Sequence, residues 1–508
     1  MVREKEEGQA KWNWRRLLIV GFAGAVLITS VVHSRKSLPS GVSLDGPVRP
    51  VGDLEFLFDI TAGPRDTGIV EQEIFHRVFS MISEAQEFVV LDMFLFNGST
   101  GGEAAYRSLS SELTDSLVVW MGRGGERRAV FITDEINTFY GAVPSPELER
   151  LEAAGVQVVT TRLSRLRDSN PIFSGVWRVA LQWFGTGGPG WLPNFLTSSG
   201  ERVPARAYLK LLNFKANHRK LIVTDEECLV ASANPHDGSA RHSNIGFAGS
   251  GPICGDILDG EKAVAGFSGA VVEDWPVYRD GVPAVEGSSQ DLSQADESAP
   301  DSLRAIPGGS HGEGTVQLVT EGKILEAVLS SLETAGPGHS VDLAMFYLSS
   351  RRVVQGLLEA SARGATVRLI LDPNKDAFGR QKGGIPNRPV AQELVRESGG
   401  RIQVRWYDTH GEQFHTKLVR VAGSETTEVI GGSANLTRRN TGDFNLEADL
   451  RFVLPSSAPL ALATGDYFEE IFQNRDSPYT LPYQAYADDG MIKVIRYRIE
   501  EFTGLCSY

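Results

Sequence analysis

The stretch that decides the fold reads Asn217-His218-Arg219-Lys220-Leu221-Ile222-Val223-Thr224-Asp225, and Ala231-Ser232-Ala233-Asn234 follows it closely. About two hundred residues later the chain reads Phe414-His415-Thr416-Lys417-Leu418-Val419-Arg420-Val421, followed by Gly432-Ser433-Ala434-Asn435. Each stretch has His-x-Lys, an aliphatic and β-branched run that predicts a strand, and a later Ser-x-Asn. Residues two apart share a strand face, so each histidine points the same way as its lysine. Two such pairs brought together would form a phosphate-handling site.

The two motifs resemble the His-x-Lys-x4-Asp signature of the phospholipase D superfamily, with its downstream Gly/Ser-x-Asn. The resemblance covers roughly residues 55–475, and the presence of two copies makes it specific. It implies two halves related by a pseudo-twofold axis, with their sheets side by side and one site at the seam. It also implies chemistry without a metal.

The order of predicted elements repeats between the halves. Val89–Phe94 is echoed by Val341–Phe346, and Ala129–Asp134 is echoed by Thr366–Asp372. Strands alternate with amphipathic helices, for which 69–86 and 102–122 are examples in the first half. This order predicts two α/β/α sandwich domains with mostly parallel sheets, because crossover helices cover both faces of such sheets.

The predicted organisation has four parts. Residues 1–36 form a membrane segment, 53–280 a first domain, 281–314 a flexible linker rich in Ser, Gly, Pro, Asp and Glu, and 315–508 a second domain. The first domain carries an insertion over 164–210 that the second lacks. We expect the aromatic residues of this insertion to insert into a bilayer interface, to line an acyl groove or to cover the sheet edge as core residues. These roles can apply to different residues.

The N-terminal segment has the pattern of a membrane anchor. The basic residues Arg15 and Arg16, with Trp12 and Trp14 nearby, precede an apolar run over 17–32. The basic flank favours the N-terminus inside, which places the rest of the chain outside the cytoplasm. A cleaved signal peptide is the alternative, since 32–34 is an acceptable cleavage site.

Composition narrows the function classes. The chain has 508 residues, 41% hydrophobic and 22% charged, which is typical of a globular protein. Its net charge of −14 counts against general nucleic-acid binding. The cysteines Cys228, Cys254 and Cys506 fit no zinc or disulfide framework. A Cys228–Cys254 bridge would need an oxidising compartment, and we expect free buried thiols instead.

The candidate catalytic groups follow from the chemistry of a two-step phosphodiester displacement, in which one histidine attacks phosphorus and the other protonates the leaving alcohol. The resemblance implies that the N-terminal histidine attacks, so we assign His218 as the nucleophile, although the acid near His415 in sequence favours a well-held His415. Cationic and amide donors stabilise the charge on the non-bridging oxygens, and serine hydroxyls bind substrate or orient the site. These supporting residues are Lys220, Lys417, Asn234, Asn435, Ser232 and Ser433. No metal-ligand spacing occurs near the motifs, so neither metal nor cofactor is expected.

The two copies depart from the family pattern in different places. Asp225 has Ala422 as its counterpart, and strand parity puts Asp225 on the face opposite His218, where it would be structural. Twelve residues after the motif serines come Asn244 and Asn445; the second continues to Glu447, whereas the first has Gly246. Glu447 is the predicted orienter of His415 by the tautomer-fixing logic of a catalytic triad.

His218 then needs another partner, for which Asp237 is one candidate. The loop residues His236, His242, Arg438 and Arg439 are candidates for head-group binding, or are solvated.

Three functions fit these observations. The first is a membrane-anchored phosphodiesterase or phosphatidyltransferase acting on phospholipid, as in cardiolipin synthases. The second is a nuclease of the same superfamily, favoured only by the local basic residues Arg202, Arg206, Lys210 and Lys215. The third is a catalytically inactive protein that binds lipid or a partner, which the departures at Ala422 and Gly246 suggest.

Overall fold

The computed structural model describes residues 2–64, 68–98, 106–194, 202–279, 314–377, 380–488 and 490–505. The predicted linker over 281–314 lies outside the described residues, except for Gly314. Phe195 of the insertion and Cys506 also lie outside them.

The described helices, in chain order, are α1 (Val2–Arg35), α2 (Ile74–Glu84), α3 (Leu109–Met121), α4 (Pro146–Ala153), α5 (Pro171–Val176), α6 (Ala205–Leu211), α7 (Ile253–Ser268), α8 (Gly322–Thr334), α9 (Arg351–Arg363), α10 (Asn387–Glu397), α11 (Pro459–Gln473) and α12 (Met491–Thr503). The strands of the first half are β2 (Glu55–Ala62), β3 (Ile69–Gln72), β4 (Phe88–Met93), β5 (Arg128–Thr133), β6 (Gln157–Thr160), β7 (Leu192–Pro193), β8 (Arg202–Val203), β9 (Lys220–Thr224), β10 (Cys228–Ala231) and β11 (Asn244–Gly249), after the short β1 (Arg49–Pro50). Those of the second half are β12 (Thr315–Thr320), β13 (Ser340–Met345), β14 (Thr366–Leu371), β15 (Asp376–Ala377), β16 (Arg380–Gln381), β17 (Gln403–Tyr407), β18 (Lys417–Ala422), β19 (Thr426–Gly432), β20 (Ala448–Pro455) and β21 (Thr480–Pro482).

Each half builds one large sheet, so the two-domain α/β prediction is confirmed. The first sheet has the order β3-β2-β11-β10-β9-β4-β5-β6, and the second has the order β1-β12-β20-β19-β18-β13-β14-β17-β21. The prediction that the sheets are mostly parallel is wrong. Only β4-β5-β6 and β13-β14-β17 run parallel, and every other pairing in the two sheets is antiparallel.

The cause is a change in connection within each half. Crossover helices link the parallel strands, but the His-x-Lys strand then enters next to β4 or β13 and continues through tight antiparallel connections. The first predicted helix is also shorter than expected. It begins at Ile74 and not at Ile69, because Ile69–Gln72 pairs with β2 as an edge strand.

The two sheets lie face to face and share a core. Alternate residues of one strand point to opposite faces, so Leu221 and Val223 join the shared core while Ile222 packs under the outer helices of its own half. From the second half, Leu418 and Phe452 enter the same shared core. The rings of Phe247 and Phe452 meet across it with centroids 4.8 Å apart. The halves are therefore one folded body, stacked and not laid side by side.

The N-terminal helix is apolar and docked by its end. One helix among the described residues, over Trp14–Arg35, is long and apolar enough to cross a membrane by its length and composition. Its last turns pack on α5 and on the π-helical turn Trp177–Leu181 of the 164–210 insertion. Within that insertion Trp177 is buried, whereas Trp183, Phe184 and Trp191 are exposed. Trp177 is therefore part of the packed interior, and contact of the exposed rings with a bilayer stays a prediction.

Cys228 and Cys254 form a disulfide between β10 and α7. The expectation of free thiols is wrong for this pair, because strand β10 places Cys228 beside the first turn of α7, with the two Cα atoms 5.3 Å apart.

Candidate active site

The two motif histidines face one cavity of about 200 Å³ between the halves. Each is held in place by the backbone of the opposite half. The His218 N–H donates to the carbonyl of Leu446 (2.8 Å), and the His415 N–H donates to the carbonyl of Ser243 (2.8 Å). These pairings form two equivalent parallel bridges, Asn217↔Leu446 and Ser243↔Phe414, so the predicted pseudo-twofold passes between the histidines.

Glu447 orients His218 and not His415. Its Oε2 lies 2.9 Å from His218 Nδ1, and it also accepts from Ser433 Oγ at 2.5 Å and from the Asn440 amide. The prediction of a Glu447–His415 pair is wrong because the Asn217↔Leu446 bridge carries Glu447 across to the first half's histidine. The Asp237 candidate is also wrong: this carboxylate accepts from the backbone and hydroxyl of Ser110.

His415 has an amide where His218 has a carboxylate. Its Nδ1 lies 3.1 Å from Asn244 Oδ1. The Asn244 amide is fixed in turn, since Nδ2 donates to Asp59 Oδ2 (3.2 Å) and to the carbonyl of His242 (3.0 Å). Asn244 is thus a site residue that the sequence motif alone did not mark, and the two histidines are electrostatically unequal.

The motif serines support these orienting groups and do not line the cavity, contrary to their predicted substrate-binding role. Ser433 Oγ donates to Glu447 and accepts from the Ala448 N–H at 3.0 Å. Ser232 Oγ lies 3.2 Å from Asn244 Oδ1 and accepts from the Ile245 N–H at 3.0 Å. Both serines are fully buried. Each serine follows the last residue of β10 or β19, where the chain leaves the sheet, so the Asn two residues later reaches the cavity while the serine stays buried.

Lys220 and Lys417 are held in matching positions behind the histidines. Each Nζ donates to the carbonyl of its own motif histidine, at 2.5 Å for Lys220 and 2.6 Å for Lys417. Each ammonium also lies over an aromatic ring, 5.1 Å from the centroid of Phe94 and 5.2 Å from that of Phe346. Those same rings contact the histidines. The two lysine amines therefore lie in matching positions behind the histidines, and burial lowers the pKa of both.

The cavity wall is polar, with two aromatic patches. Its residues are Phe94, Leu95, Ala216, His218, Asn234, Ser239, His242, Phe346, Tyr347, Lys382, Gln413, His415, Asn435, Arg439, Asn440 and Asn445. The motif amides Asn234 and Asn435 are among them, as predicted. Asn435 Oδ1 is buried without a hydrogen-bond partner. Of the four loop candidates, His242 and Arg439 line the cavity, while His236 bonds Ser239 and Arg438 lies over the ring of Phe444.

Burial and charge set the protonation states. Burial lowers the pKa of His218 well below its usual 6.5, and the ammonium groups of Lys220 and Lys417 lower it further. Burial, then Lys417 and His242, lowers the pKa of His415 in the same direction. Burial also raises the pKa of Glu447 to about 7 and lowers that of Lys220 to about 7. Both imidazoles are therefore neutral near pH 7, which leaves a lone pair available on each.

Asp225 has the structural role predicted for it. Its carboxylate accepts hydrogen bonds from the backbone N–H groups of Gln86, Glu87 and Phe88, at 3.0–3.2 Å. It therefore caps the start of β4, away from the cavity. Ala422, its counterpart, lies at the end of β18 on the outer face of the molecule, so this departure removes no group from the site.

A buried carboxylate beneath the site gives the fold a pH dependence. Burial raises the pKa of Asp449 to about 8, above the value of about 3.9 for an unfolded chain. The folded state binds this proton more tightly, so its stabilisation is present below pH of about 4 and is lost as the pH rises through about 8. In Asp449→Asn, which keeps an acceptor for the Ala434 N–H, we expect the free energy of unfolding to fall less steeply over that range.

Urea unfolding at a series of pH values measures this slope. Asp466→Asn, on the exposed face of α11, is the matched control and should keep the parental slope. An Asp449→Asn protein with that same parental slope would contradict the assignment.

Comparison with known proteins adds the family. A family model described as "Cardiolipin synthase, PLD-like domain" matches residues 328–472. The solved structure of phosphatidylserine synthase from Haemophilus influenzae Rd KW20 is similar over 91% of this chain and 96% of that one, with TM-score 0.55 at 11% identity. Over residues 328–472 the chain matches this PLD-like domain family, and its similarity to the phosphatidylserine synthase structure shows the same fold.

Two further solved structures match less closely. Polyphosphate kinase from Porphyromonas gingivalis covers 89% of this chain and 53% of its own, with TM-score 0.43 at 12% identity. The phospholipase D family member Nuc from Salmonella typhimurium covers 32% of this chain and 95% of its own, with TM-score 0.25 at 21% identity. At such identities structural similarity shows the fold alone. Comparison with curated protein sequences finds no match.

The family model covers only the second half, yet the first half supplies about half of the residues that line the cavity. The residues that sequence reasoning missed are Asn244, Asn440, Tyr347 and Lys382. Lys382 lies 5.1 Å from the ring centroid of Tyr347 and donates to its hydroxyl, and it lines the cavity together with Arg439. Its loop position, outside any repeat, gave no signal in the sequence.

Proposed function

We propose that the protein is a phosphodiesterase or phosphatidyltransferase that acts on phospholipid through a phosphohistidine intermediate. The observation that carries the proposal is the pair of buried, neutral histidines facing one cavity, each with its Nδ1 held by a different fixed acceptor. With Nδ1 engaged, each imidazole presents Nε2 to the substrate. Two opposed Nε2 atoms are what an in-line displacement at phosphorus requires.

His218 is the proposed nucleophile. The carboxylate of Glu447 fixes its Nδ1–H tautomer and stabilises the positive charge that the ring gains when Nε2 bonds to phosphorus. The P–O bond to the leaving alcohol breaks, and His415, which carries a proton on Nε2 as an imidazolium when the anionic phosphodiester is bound, delivers that proton to the leaving oxygen and becomes neutral. Water or an acceptor alcohol then gives its proton to His415 and attacks phosphorus, which breaks the P–N bond and restores His218.

The neutral partner of His415 suits the second role. An amide oxygen at Nδ1 orients the ring without a negative charge, so His415 releases its proton more readily than a carboxylate-paired histidine would. Lys220 and Lys417, each bonded to the carbonyl of its motif histidine, contribute positive potential from behind the imidazoles, and the amides of Asn234 and Asn435 supply donors at the cavity wall. These groups are sufficient for charge stabilisation, so the proposed mechanism calls for no metal.

The proposed substrate class is membrane phospholipid, with α1 as an uncleaved anchor and the catalytic body outside the cytoplasm. The length and composition of Trp14–Arg35 support the anchor. The Cys228–Cys254 bridge supports the location, since disulfides persist in oxidising compartments. The exposed aromatic residues of the insertion, Trp183, Phe184 and Trp191, support contact with a lipid surface.

The test uses the full chain in proteoliposomes of mixed phospholipids, with and without glycerol and in the presence of EDTA, with lipid products read by mass spectrometry. We expect phosphatidic acid or a head-group-exchanged lipid, absent with His218→Ala. If single-stranded DNA or RNA is cleaved and lipid is not, the protein is a nuclease of this fold. If no substrate is turned over, the inactive lipid-binding alternative replaces the proposal.

Glu447→Gln is expected to lower kcat by about 10²–10⁴-fold with little change in KM, because Gln cannot stabilise the imidazolium of His218. The acid limb of the kcat profile should shift as well, since burial raises the pKa of Glu447 to about 7 in the parent and the variant lacks this group. Glu425→Gln, on an exposed turn, is the control and should retain parental kinetics. Parental kcat in Glu447→Gln would show that the pairing is structural only.

A further inference from the structure

The C-terminal helix α12 carries an exposed apolar stripe. Its members recur at helical spacing and are 52–84% exposed: Met491, Ile492, Ile495, Ile499, Phe502 and, just past the helix, Leu505. The opposite face is anchored, because Tyr497 and Glu501 are buried. A contiguous exposed stripe on a well-fixed helix marks a binding surface and not an incidental exposure.

The buried face of α12 attaches it to the wall of the active site. Glu501 accepts from Ser349 Oγ at 2.7 Å and from the Arg438 N–H at 3.1 Å. Tyr497 Oη donates to the carbonyl of Ser349 at 3.1 Å. Arg438 precedes Arg439, which lines the catalytic cavity. The position of the stripe is therefore rigidly related to the cavity.

The end of α12 meets the end of the N-terminal helix. A Cβ placed on Gly504 would lie 2.0 Å from the carbonyl oxygen of Ser169, so this turn packs directly on that segment. The neighbouring Asp168 N–H donates to the carbonyl of His33 at 3.0 Å. The C-terminal end of the stripe therefore lies next to the C-terminal end of α1, because both contact the segment Asp168-Ser169.

The depth of that contact follows from helix geometry. The apolar segment Trp14–Arg35 has 22 residues, or about 33 Å at 1.5 Å per residue, enough for a bilayer core of about 30 Å. The insertion packs against α1 inside this segment, since a Cβ on Gly175 would lie 2.2 Å from Ser30 Oγ and 2.8 Å from the Val26 carbonyl. Val26 lies roughly 14 Å before Arg35 along the helix. With Arg35 at the edge of the core, the contact of Asp168 with His33 lies at that edge, whereas Gly175, beside Val26, lies well inside the apolar layer.

From this geometry, and given the membrane anchor of the proposed function, we propose that α12 is an interfacial membrane helix whose apolar stripe lies in the lipid–water boundary. Its partner is the surface of the bilayer that α1 crosses. Arg496 and Arg498 flank the stripe with exposed guanidinium groups, which pair with Glu500 at 2.6 Å and with Glu393 at 3.0 Å. The catalytic cavity would then be held at a fixed height and tilt over its substrate layer.

The test is spin labelling of the full chain in proteoliposomes of phosphatidylcholine and phosphatidylglycerol, which needs no turnover. Nitroxides are placed by Ile495→Cys and Phe502→Cys in a Cys506→Ser background, with Glu359→Cys on the exposed face of α9 as the matched control. We expect the α12 labels to collide several-fold more often with oxygen than with a water-soluble nickel chelate, relative to the control. Equal accessibility at the three sites would overturn the proposal, and so would dipolar broadening between α12 labels, which would indicate a second copy on the stripe.

A variant links the surface to function. Ile492→Glu, Ile495→Glu and Ile499→Glu together should reduce turnover of vesicle lipid at least tenfold while leaving turnover of a short-chain, water-soluble phosphodiester unchanged. Turnover of vesicle lipid at the parental rate would overturn the interfacial role. If neither substrate is turned over by the parent, the proposed function fails, whereas the labelling result still decides the position of α12.

Discussion

His218→Ala is expected to lose at least about four orders of magnitude in turnover, because no other group in the cavity presents a neutral imidazole backed by a carboxylate. The fold should remain intact, since the side chain is packed at the edge of a cavity. Steady-state hydrolysis of a lipid substrate measures the loss. The control is His76→Ala, which removes an exposed histidine from α2 and should leave activity unchanged.

A substrate with an activated leaving group, such as a p-nitrophenyl phosphodiester, separates the two histidines. This leaving group needs no proton, so His415→Ala should still form a phosphoenzyme but release it slowly. His218→Ala should form none. Trapping of a covalent adduct on the His218→Ala protein would reverse the assignment of nucleophile and general acid.

Arg219→Ala is expected to lower the free energy of unfolding by about 3–5 kcal/mol, the largest stability effect of a single substitution at this site. Arg219 is buried and bonds Glu261 of α7 and Glu321 at the start of α8, at 2.8 Å each. Its removal leaves two carboxylates inside the protein without their cation. Urea unfolding followed by tryptophan fluorescence measures the change.

Arg396→Ala is the matched control, because its guanidinium is exposed and pairs only with its neighbour Glu397; it should change the free energy of unfolding by less than about 0.5 kcal/mol. Adding Glu261→Gln to Arg219→Met should recover part of the stability by removing one of the stranded charges. Arg219 and Glu261 belong to the first half and Glu321 to the second, so these ion pairs link the halves. If the single Arg219 variant is as stable as the control, this link does not stabilise the fold. Since Glu321 also accepts from the Glu447 N–H, activity should fall together with stability.

The features that were predicted correctly depend on residues that are close together in the sequence. Strand parity correctly put His218 and Lys220 on the same side, against the ring of Phe94, and Asp225 away from the cavity. The Ser-x-Asn motif correctly indicated Asn234 and Asn435 at the cavity wall. The strand–helix order predicted both α/β units, and the basic-flanked apolar run predicted the apolar N-terminal helix. These features depend on side-chain periodicity within a few residues, which a sequence displays directly.

Features that depend on contacts between residues far apart in the sequence could not be predicted from it. Glu447 lies close to His415 in sequence, and spacing alone assigned it there; the bridge Asn217↔Leu446 exchanges the partners. The antiparallel completion of each sheet and the Cys228–Cys254 bridge likewise depend on which strands become neighbours in space. Lys382 reached the cavity on a loop, where no periodic pattern marks a residue's direction.

The exchange of partners between the halves has a consequence for the origin of such a chain. Two identical half-length subunits around a true twofold axis would give both histidines the same acceptor, because any change in one subunit appears in the other. Joining the halves in one polypeptide removes that constraint. In a single chain, His218 can pair with a carboxylate while His415 pairs with an amide. The two copies of the motif can then take the different roles of the proposed mechanism, attack on phosphorus and proton transfer.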